Sequence, residues 1–250
     1  NYLRSLDAVT GNSLIWLGHN SFFLQLAGKR IMFDPVFGSI PFVRRRSQFP
    51  ANTDIFTGID YLLISHDHFD HLDKQSVGCL LKSNPQMKLF CGLGTGELIK
   101  SWFPKIEMVE AGWYQQIMDE GLKITFLPAQ HWSKRSVRDG GQRLWGAFMI
   151  QGDGMSVYYS GDTGYSQHFS EIPELFGAPD YALVGIGAYK PVRQTDFQLL
   201  RCTTFCFHRI LMRTQDSQQL SKELHRLMRR RFVLWKFCIS GVVGLTFIKI

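Results

Sequence analysis

Ser65-His66-Asp67-His68-Phe69-Asp70-His71-Leu72-Asp73 follows directly on the apolar run Tyr61-Leu62-Leu63-Ile64. A short apolar run bounded by polar residues reads as a buried strand. Alternate side chains of a strand share a face, so His66 and His68 at its end reach the same point. Where the chain turns, Asp70 and His71 address a second point a few ångströms away. Imidazole nitrogen and carboxylate oxygen are the ligands that zinc and similar divalent ions accept. The chain has eight histidines in 250 residues, and three of them fall within six positions here. A solvated polar turn does not require that clustering. The spacing H-x-H-x-D-H reads as half of a two-metal nest.

At 250 residues and 45% hydrophobic, the chain can bury a large core as one domain or a tightly fused pair. Its 23 glycines and nine prolines suit a loop-rich α/β protein better than a helical bundle. Five scattered cysteines imply no disulfide framework and fit a reducing compartment, so the expected location is cytoplasmic or peripherally membrane-associated. No signal peptide is visible. The net charge of +7 is unevenly spread: residues 1–191 carry 17 Lys/Arg against 18 Asp/Glu, and residues 192–250 carry 11 against 3. All nine prolines lie at or before Pro191, and only Gly241 and Gly244 of the glycines follow it. We therefore expect a hydrolase-like unit over 1–191 and an atypical basic segment over 192–250.

Residues 13–26 read as two β runs broken at Gly18-His19, and Gly28-Lys29 turns into a third run, 30–33, ending at Asp34-Pro35. His19 reads as a metal ligand or, the reading we favour, as a hydrogen-bonded histidine beneath the site, and Asp34 as a turn-former or a partner of a metal-ligating histidine. Residues 38–56 form a loop carrying Arg44-Arg45-Arg46 between Phe42, Val43 and Phe49. That loop is either a solvated arginine stretch or a lip for an anionic head group. Helices are expected over 73–83 and 95–103, on either side of a strand at 88–91. Gly92-Leu93-Gly94-Thr95-Gly96 fits a strand-to-helix turn and lacks a nucleotide-binding spacing. Further strands are expected at 106–109, 122–127, 144–150, 155–160 and 181–189. Two of them deliver possible metal ligands at their ends, His131 and Asp162. Glycines on both sides of Asp162 permit a tight turn that aims its carboxylate back over the sheet edge. His168 reads as packing at a helix start.

These residues resemble the metallo-β-lactamase-fold hydrolases: His66-x-His68-x-Asp70-His71, then His131, then Asp162. Trp16-Leu17-Gly18-His19, Phe33-Asp34-Pro35, His131-Trp132-Ser133-Lys134-Arg135, Leu144-Trp145-Gly146, Ser160-Gly161-Asp162-Thr163-Gly164-Tyr165 and Ile186-Gly187-Ala188-Tyr189-x-Pro191 narrow the likeness. Together they resemble the N-acyl-phosphatidylethanolamine-hydrolysing phospholipase D group, over about residues 13–191. The resemblance implies an α/β (α+β) fold, a four-layer αββα sandwich with two zinc ions at the sheet edge. It places His66, His68 and His131 on the first ion and Asp70 and His71 on the second, with Asp162 bridging. Asp70, His71 and Asp162 then carry the catalytic role. Two bridged divalent ions make hydroxide available near neutral pH for attack on phosphorus or a carbonyl carbon. Arg44, Arg45, Arg46, Trp132 and Tyr189 are the candidates for substrate contact.

The group supplies one more histidine to the second ion, in a His-aromatic-Gly-Thr string, and nothing of that form follows Pro191. His208 and His225 lack those neighbours, and Cys202-x-x-x-Cys206-x-His208 has no established zinc spacing. The tail thus reads as altered relative to the group, by a frameshift or an alternative exon, or else as a diverged but genuine helix and strand. Phe232–Ile248 is apolar apart from Lys236 and follows Arg229-Arg230-Arg231, which suits a surface anchor better than a span. The expected activity is a zinc-dependent phosphodiesterase of phospholipase D type. The alternatives are a lactonase or small-phosphoester hydrolase, or an impaired, non-catalytic homologue. The expected partners are a lipid or small anionic ester, with peripheral membrane contact and no nucleic acid.

Overall fold

The computed structural model describes residues 5–7, 9–40, 49, 51–164 and 166–185, together with the backbone of 204–208 and 246–249. Two mixed sheets face each other. The first contains β1 (Ser13–Gly18), β2 (Ser21–Leu26), β3 (Lys29–Phe33), β4 (Tyr61–Ile64), β5 (Lys88–Gly92), β6 (Met108–Ala111) and β13 (Thr246–Lys249), in the order β13-β1-β2-β3-β4-β5-β6. The second contains β7 (Gln116–Asp119), β8 (Leu122–Leu127), β9 (Ala147–Gly152), β10 (Met155–Tyr159), β11 (Tyr181–Gly185) and β12 (Thr204–His208), in the order β12-β11-β10-β9-β8-β7. The first three strands form the expected antiparallel meander, and β3 to β6 run parallel.

Strand alternation explains the layers. Tyr61 and Leu63 of β4 join Phe33, Phe90, Phe126, Phe148, Ile150 and Tyr159 in the core between the sheets. Leu62 and Ile64 point the other way, onto Val77 and Leu80 of α1 (Lys74–Ser83) and Ile99 of α2 (Thr95–Trp102). The run Tyr61–Ile64 is uniformly apolar because both of its faces are covered. On the far side of the second sheet, Ile172 of α3 (His168–Phe176) packs on Leu127, Met149, Tyr158 and Ala182. The result is the four-layer αββα sandwich.

Local chemistry sets the ends of the elements. Asp73 caps α1 by accepting from the Ser76 amide at 2.9 Å, a contact worth about 1 kcal/mol. The glycine-rich stretch after β5 is a packing device. A Cβ at Gly92 would stand 2.2 Å from the Leu144 carbonyl oxygen, so the chain can pass there only as glycine.

Two boundaries differ from the sequence reading. The strand expected from residue 144 starts at Ala147, because the Leu144 and Gly146 amides donate to the carbonyls of Leu93 and Ser65 rather than to a ladder. The strand expected at 106–109 is displaced to 108–111. Edge strand β7 was not anticipated; its four residues alternate between exposed and half-buried. Arg44–Arg46, Tyr189, Pro191 and His225 lie outside the described residues. Of the apolar run 232–248, the part described, Thr246–Ile248, is in β13 and pairs with β1. Among the described residues, no helix is long and apolar enough to cross a membrane.

Candidate metal centre

Loop 65–73 leaves β4 at the end of the first sheet, while His131 follows β8 and Asp162 follows β10 of the second. The site therefore straddles the mouth of the sandwich. His66 Nε2 lies 2.9 Å from His68 Nδ1, and His131 Nε2 lies 3.2 Å from each of them. Donors around one tetrahedral zinc at about 2.05 Å are about 3.3 Å apart. The triangle therefore has the dimensions of a metal-facing set. The opposite nitrogen of His68, Nε2, is buried and has no hydrogen-bond partner among the described residues. His66 uses its Nδ1 on Ser65 Oγ at 2.9 Å, which leaves Nε2 for the shared point.

The second donor set lies alongside. His71 Nε2 is 3.4 Å from Asp162 Oδ2 and 3.9 Å from Asp70 Oδ2. Asn20 Nδ2 donates to Asp162 Oδ1 at 2.8 Å and lies 3.3 Å from His71 Nε2. His71 Nδ1 is held by Asp34 Oδ2 at 2.7 Å, which selects the tautomer whose Nε2 lone pair faces the cluster. Asp34 has φ +37°, and its carboxylate also accepts from the Ser65 amide and hydroxyl and from Tyr159 Oη. It is thus the hub beneath both donor sets. Gly161 has φ +54°, and a Cβ there would meet Ser65 Cβ at 2.7 Å. Only glycine lets the turn bring Asp162 against loop 65–73.

The electrostatics suit a cation. Burial, with His71 and His131 nearby, pushes His66 well below its ordinary value. Burial likewise lowers His68, and pushes His131 down to about 4. These three imidazoles keep free lone pairs at neutral pH. Burial would raise Asp162 and Asp70, yet both are held well below the carboxylate range, by His71 for Asp162 and by His19 and His71 for Asp70. Burial opposes charge on His71, but Asp162 and Asp34 raise it well above its ordinary value. The neutral nitrogens of His66, His68 and His131 and the anionic oxygens of Asp70 and Asp162 thus converge with a His71 whose extra proton a bound divalent ion would displace. The residues fit a pair of divalent ions.

The loop after His131 is tied to the loop before it. Arg135 Nη1 donates to the carbonyls of Asp67 and Leu72, each at 2.7 Å, and its guanidinium lies 4.1 Å over the Phe69 ring. Buried Asp67 accepts from Arg143 Nη1 at 2.9 Å and from the Lys134 amide at 3.0 Å. Trp132 is 54% exposed and packs edge-on to the His68 ring at 4.5 Å. Sequence reasoning singled out His66, His68, Asp70, His71, His131 and Asp162, and the structure brings all six to one place. It missed Asn20, Ser65, Tyr159 and the Asp67–Arg143 pair, which have no local spacing to mark them. His168 is buried at the start of α3 with Thr163 Oγ1 3.2 Å from Nε2.

Comparison with known proteins agrees with this architecture. Residues 29–234 match the beta-lactamase superfamily domain. The chain is 33% identical over 191 residues to N-acyl-phosphatidylethanolamine-hydrolyzing phospholipase D 1 of Caenorhabditis elegans, covering 70% of this chain and 54% of that protein. It is 31% identical over 177 residues to a UPF0173 metal-dependent hydrolase of Sulfurisphaera tokodaii, covering 70% and 71%. The chain spans about half the length of the nematode relative and of the Mycobacterium proteins it matches. Among solved structures, an isothiocyanate hydrolase from Delia radicum gut bacteria shares the fold at TM-score 0.55, with 18% identity over 67% of this chain and 69% of that one. Igni18 of Ignicoccus hospitalis does so at TM-score 0.53, with 24% identity over 69% and 70%. A domain match over most of the chain and relatives at 31–33% identity lead to one conclusion: the chain belongs to the beta-lactamase superfamily.

Proposed function

We propose that the chain is a metal-dependent hydrolase whose substrate is the phosphodiester of N-acyl-phosphatidylethanolamine or a related lipid. The observation that carries the reading is the abutment of two donor sets, the imidazoles of His66, His68 and His131 and the mixed set of Asp70, His71 and Asp162. Divalent ions held there, zinc being the ion these donors suit, supply Lewis acidity and an activated water. The chain's own residues supply the positioning. Asp34 fixes the His71 ring from behind, Asn20 fixes Asp162, and Arg135 holds the two ligand-bearing loops in register. Trp132 offers an exposed flat face beside His68, suited to the apolar part of a lipid. Likeness to the nematode phospholipase D supports the lipid assignment. From their residue types, Arg44–Arg46 and Tyr189 complete the proposed substrate contacts, the arginines being suited in charge to an anionic head group.

A small lactone or phosphoester is the second reading, because a metal-activated water attacks a carbonyl carbon as well as phosphorus. The two are separated by incubating the zinc-loaded chain with N-acyl-phosphatidylethanolamine vesicles, bis(p-nitrophenyl) phosphate and an acyl lactone. Phosphatidic acid release that a chelator abolishes is the expected result. Hydrolysis of the small esters alone moves the assignment to the second reading. Inactivity on all three with two ions bound makes the chain a non-catalytic homologue.

A further inference from the structure

We propose that His19 is itself a ligand of the second metal ion, so that this position is held by His19, Asp70, His71 and Asp162. The proposal rests on the metal-centre reading above and concerns how its second half is completed. From sequence, His19 is either a ligand or, as favoured there, a supporting hydrogen-bond partner; the geometry points to the first.

His19 sits in the turn between β1 and β2 with φ +51°, immediately after Gly18 at φ +99°. Positive φ is uncommon outside glycine, and histidine is among the residues that adopt it most readily. Here the His19 carbonyl accepts from Trp16 Nε1 at 2.8 Å, which locks the turn in place. The locked backbone sends the imidazole towards loop 65–73, where Nε2 stands 3.1 Å from Asp70 Oδ2. One ligand atom each of His19, Asp70 and His71 lies within 4.8 Å of the others.

The donor spacings suit one ion. His19 to Asp70 is 3.1 Å, His71 to Asp162 is 3.4 Å and His71 to Asp70 is 3.9 Å. These bracket the separation of about 3.3 Å between tetrahedral ligands. His71 Nδ1 is already engaged by Asp34, so Nε2 is the atom turned to this point. The His19 and Asp70 side chains are each 22% exposed, which places them on the open side of the site rather than in the core. The His19 ring also meets His71 edge-on at 5.5 Å, so the two nitrogens approach without stacking.

The rival role is that of a donor that merely steadies Asp70, and substitution separates the two. His19→Gln keeps an N–H at nearly the reach of imidazole Nε2 but is a poor metal ligand; His19→Ala removes both properties. The measurement is titration of the metal-free full chain with cobalt(II) against a competing chelator, followed by visible absorption. The wild type is expected to take two equivalents. Both variants should retain the first, which also shows that they are folded. Both should weaken the second by at least about 1000-fold, beyond the 10–100-fold typical of a supporting residue. Added imidazole should restore the second cobalt spectrum to His19→Ala. A His19→Gln protein that binds the second equivalent within about 100-fold of wild type overturns the proposal and leaves the two-metal centre standing. A wild type that takes no second equivalent overturns both.

Discussion

Removing the Asp34 carboxylate should loosen the centre without touching a single proposed ligand. Asp34 is completely buried and receives four donors: the Ser65 amide at 2.8 Å, the Ser65 hydroxyl, Tyr159 Oη at 2.6 Å and His71 Nδ1 at 2.7 Å. Asp34→Ala strands all four in a site closed to water. Breaking a buried charged pair by deleting one partner costs about 3–5 kcal/mol. With a urea slope of about 2–3 kcal/mol per molar, the midpoint should fall by about 1–2.5 M. Asp34→Asn keeps the shape. Its amide oxygen can serve the three donors at the Oδ2 position, but its NH2 then faces the Ser65 amide. That variant should fold with a cost nearer 1–3 kcal/mol, about the penalty of one unsatisfied buried donor. Because the His71 tautomer is less firmly held, second-ion affinity should fall about 10–100-fold. The assays are urea unfolding in chelator, which isolates the folding term, and metal competition on the folded protein. An Asp34→Ala chain within about 1 kcal/mol of wild type refutes the hub. So does unchanged second-ion affinity in Asp34→Asn.

Other consequences follow from the same geometry. Asp162→Asn removes the carboxylate charge beside His71 and should lower metal content and hydrolysis together; unchanged metal per chain removes Asp162 from the centre. Arg135→Ala strands the Asp67 and Leu72 carbonyls and should cost about 2–4 kcal/mol in thermal or urea unfolding, and Arg135→Lys should restore it only in part, because an ammonium can donate to both carbonyls but loses the planar stacking over Phe69. Burial would raise Asp139, but the hydrogen bond from Arg143 and those from the Ser136 and Arg135 amides hold it well below the carboxylate range. The native state thus binds that proton more weakly than the unfolded chain, so its contribution is present above about pH 4 and is lost as pH falls towards the depressed folded value. Asp139→Asn should flatten that acid limb of the stability profile, and an unaltered limb assigns the acid sensitivity elsewhere.

Much of the sandwich is written in local pattern. Tyr61–Ile64 announces a strand covered on both faces, and the polar residues that follow can only be its exit. α1 and α2 are marked by periodicity and, for α1, by the Asp73 cap. The meander is marked by alternation and by Gly28-Lys29. The errors have a common cause. Leu144-Trp145-Gly146 is apolar enough for a strand, yet its amides serve carbonyls on other loops. Residues 116–119 form a short edge strand whose pattern is too weak to stand out. At the site, clustered histidines are legible because one loop carries them. Asn20 is not, since its bond to Asp162 joins residues 142 positions apart. Asp67 was hidden between two histidines, and nothing local reveals that it serves Arg143 rather than an ion. His19 shows the limit best: its residue type was legible, but the approach to Asp70 is made by a left-handed turn that no spacing encodes.

The straddling of the two sheets makes the site a cross-link as well as a reaction centre. His66 and His131 are 65 positions apart and come together only when the sheets have docked. An ion held between them is a ligand of the folded state alone. It stabilises that state by RT ln(1 + [M]/Kd), about 2.7 kcal/mol when free metal is 100-fold above Kd. Metal supply would then set how long the chain survives as well as how fast it works. A starved cell would meet this protein first as a protease substrate, opened at the mouth of the sandwich.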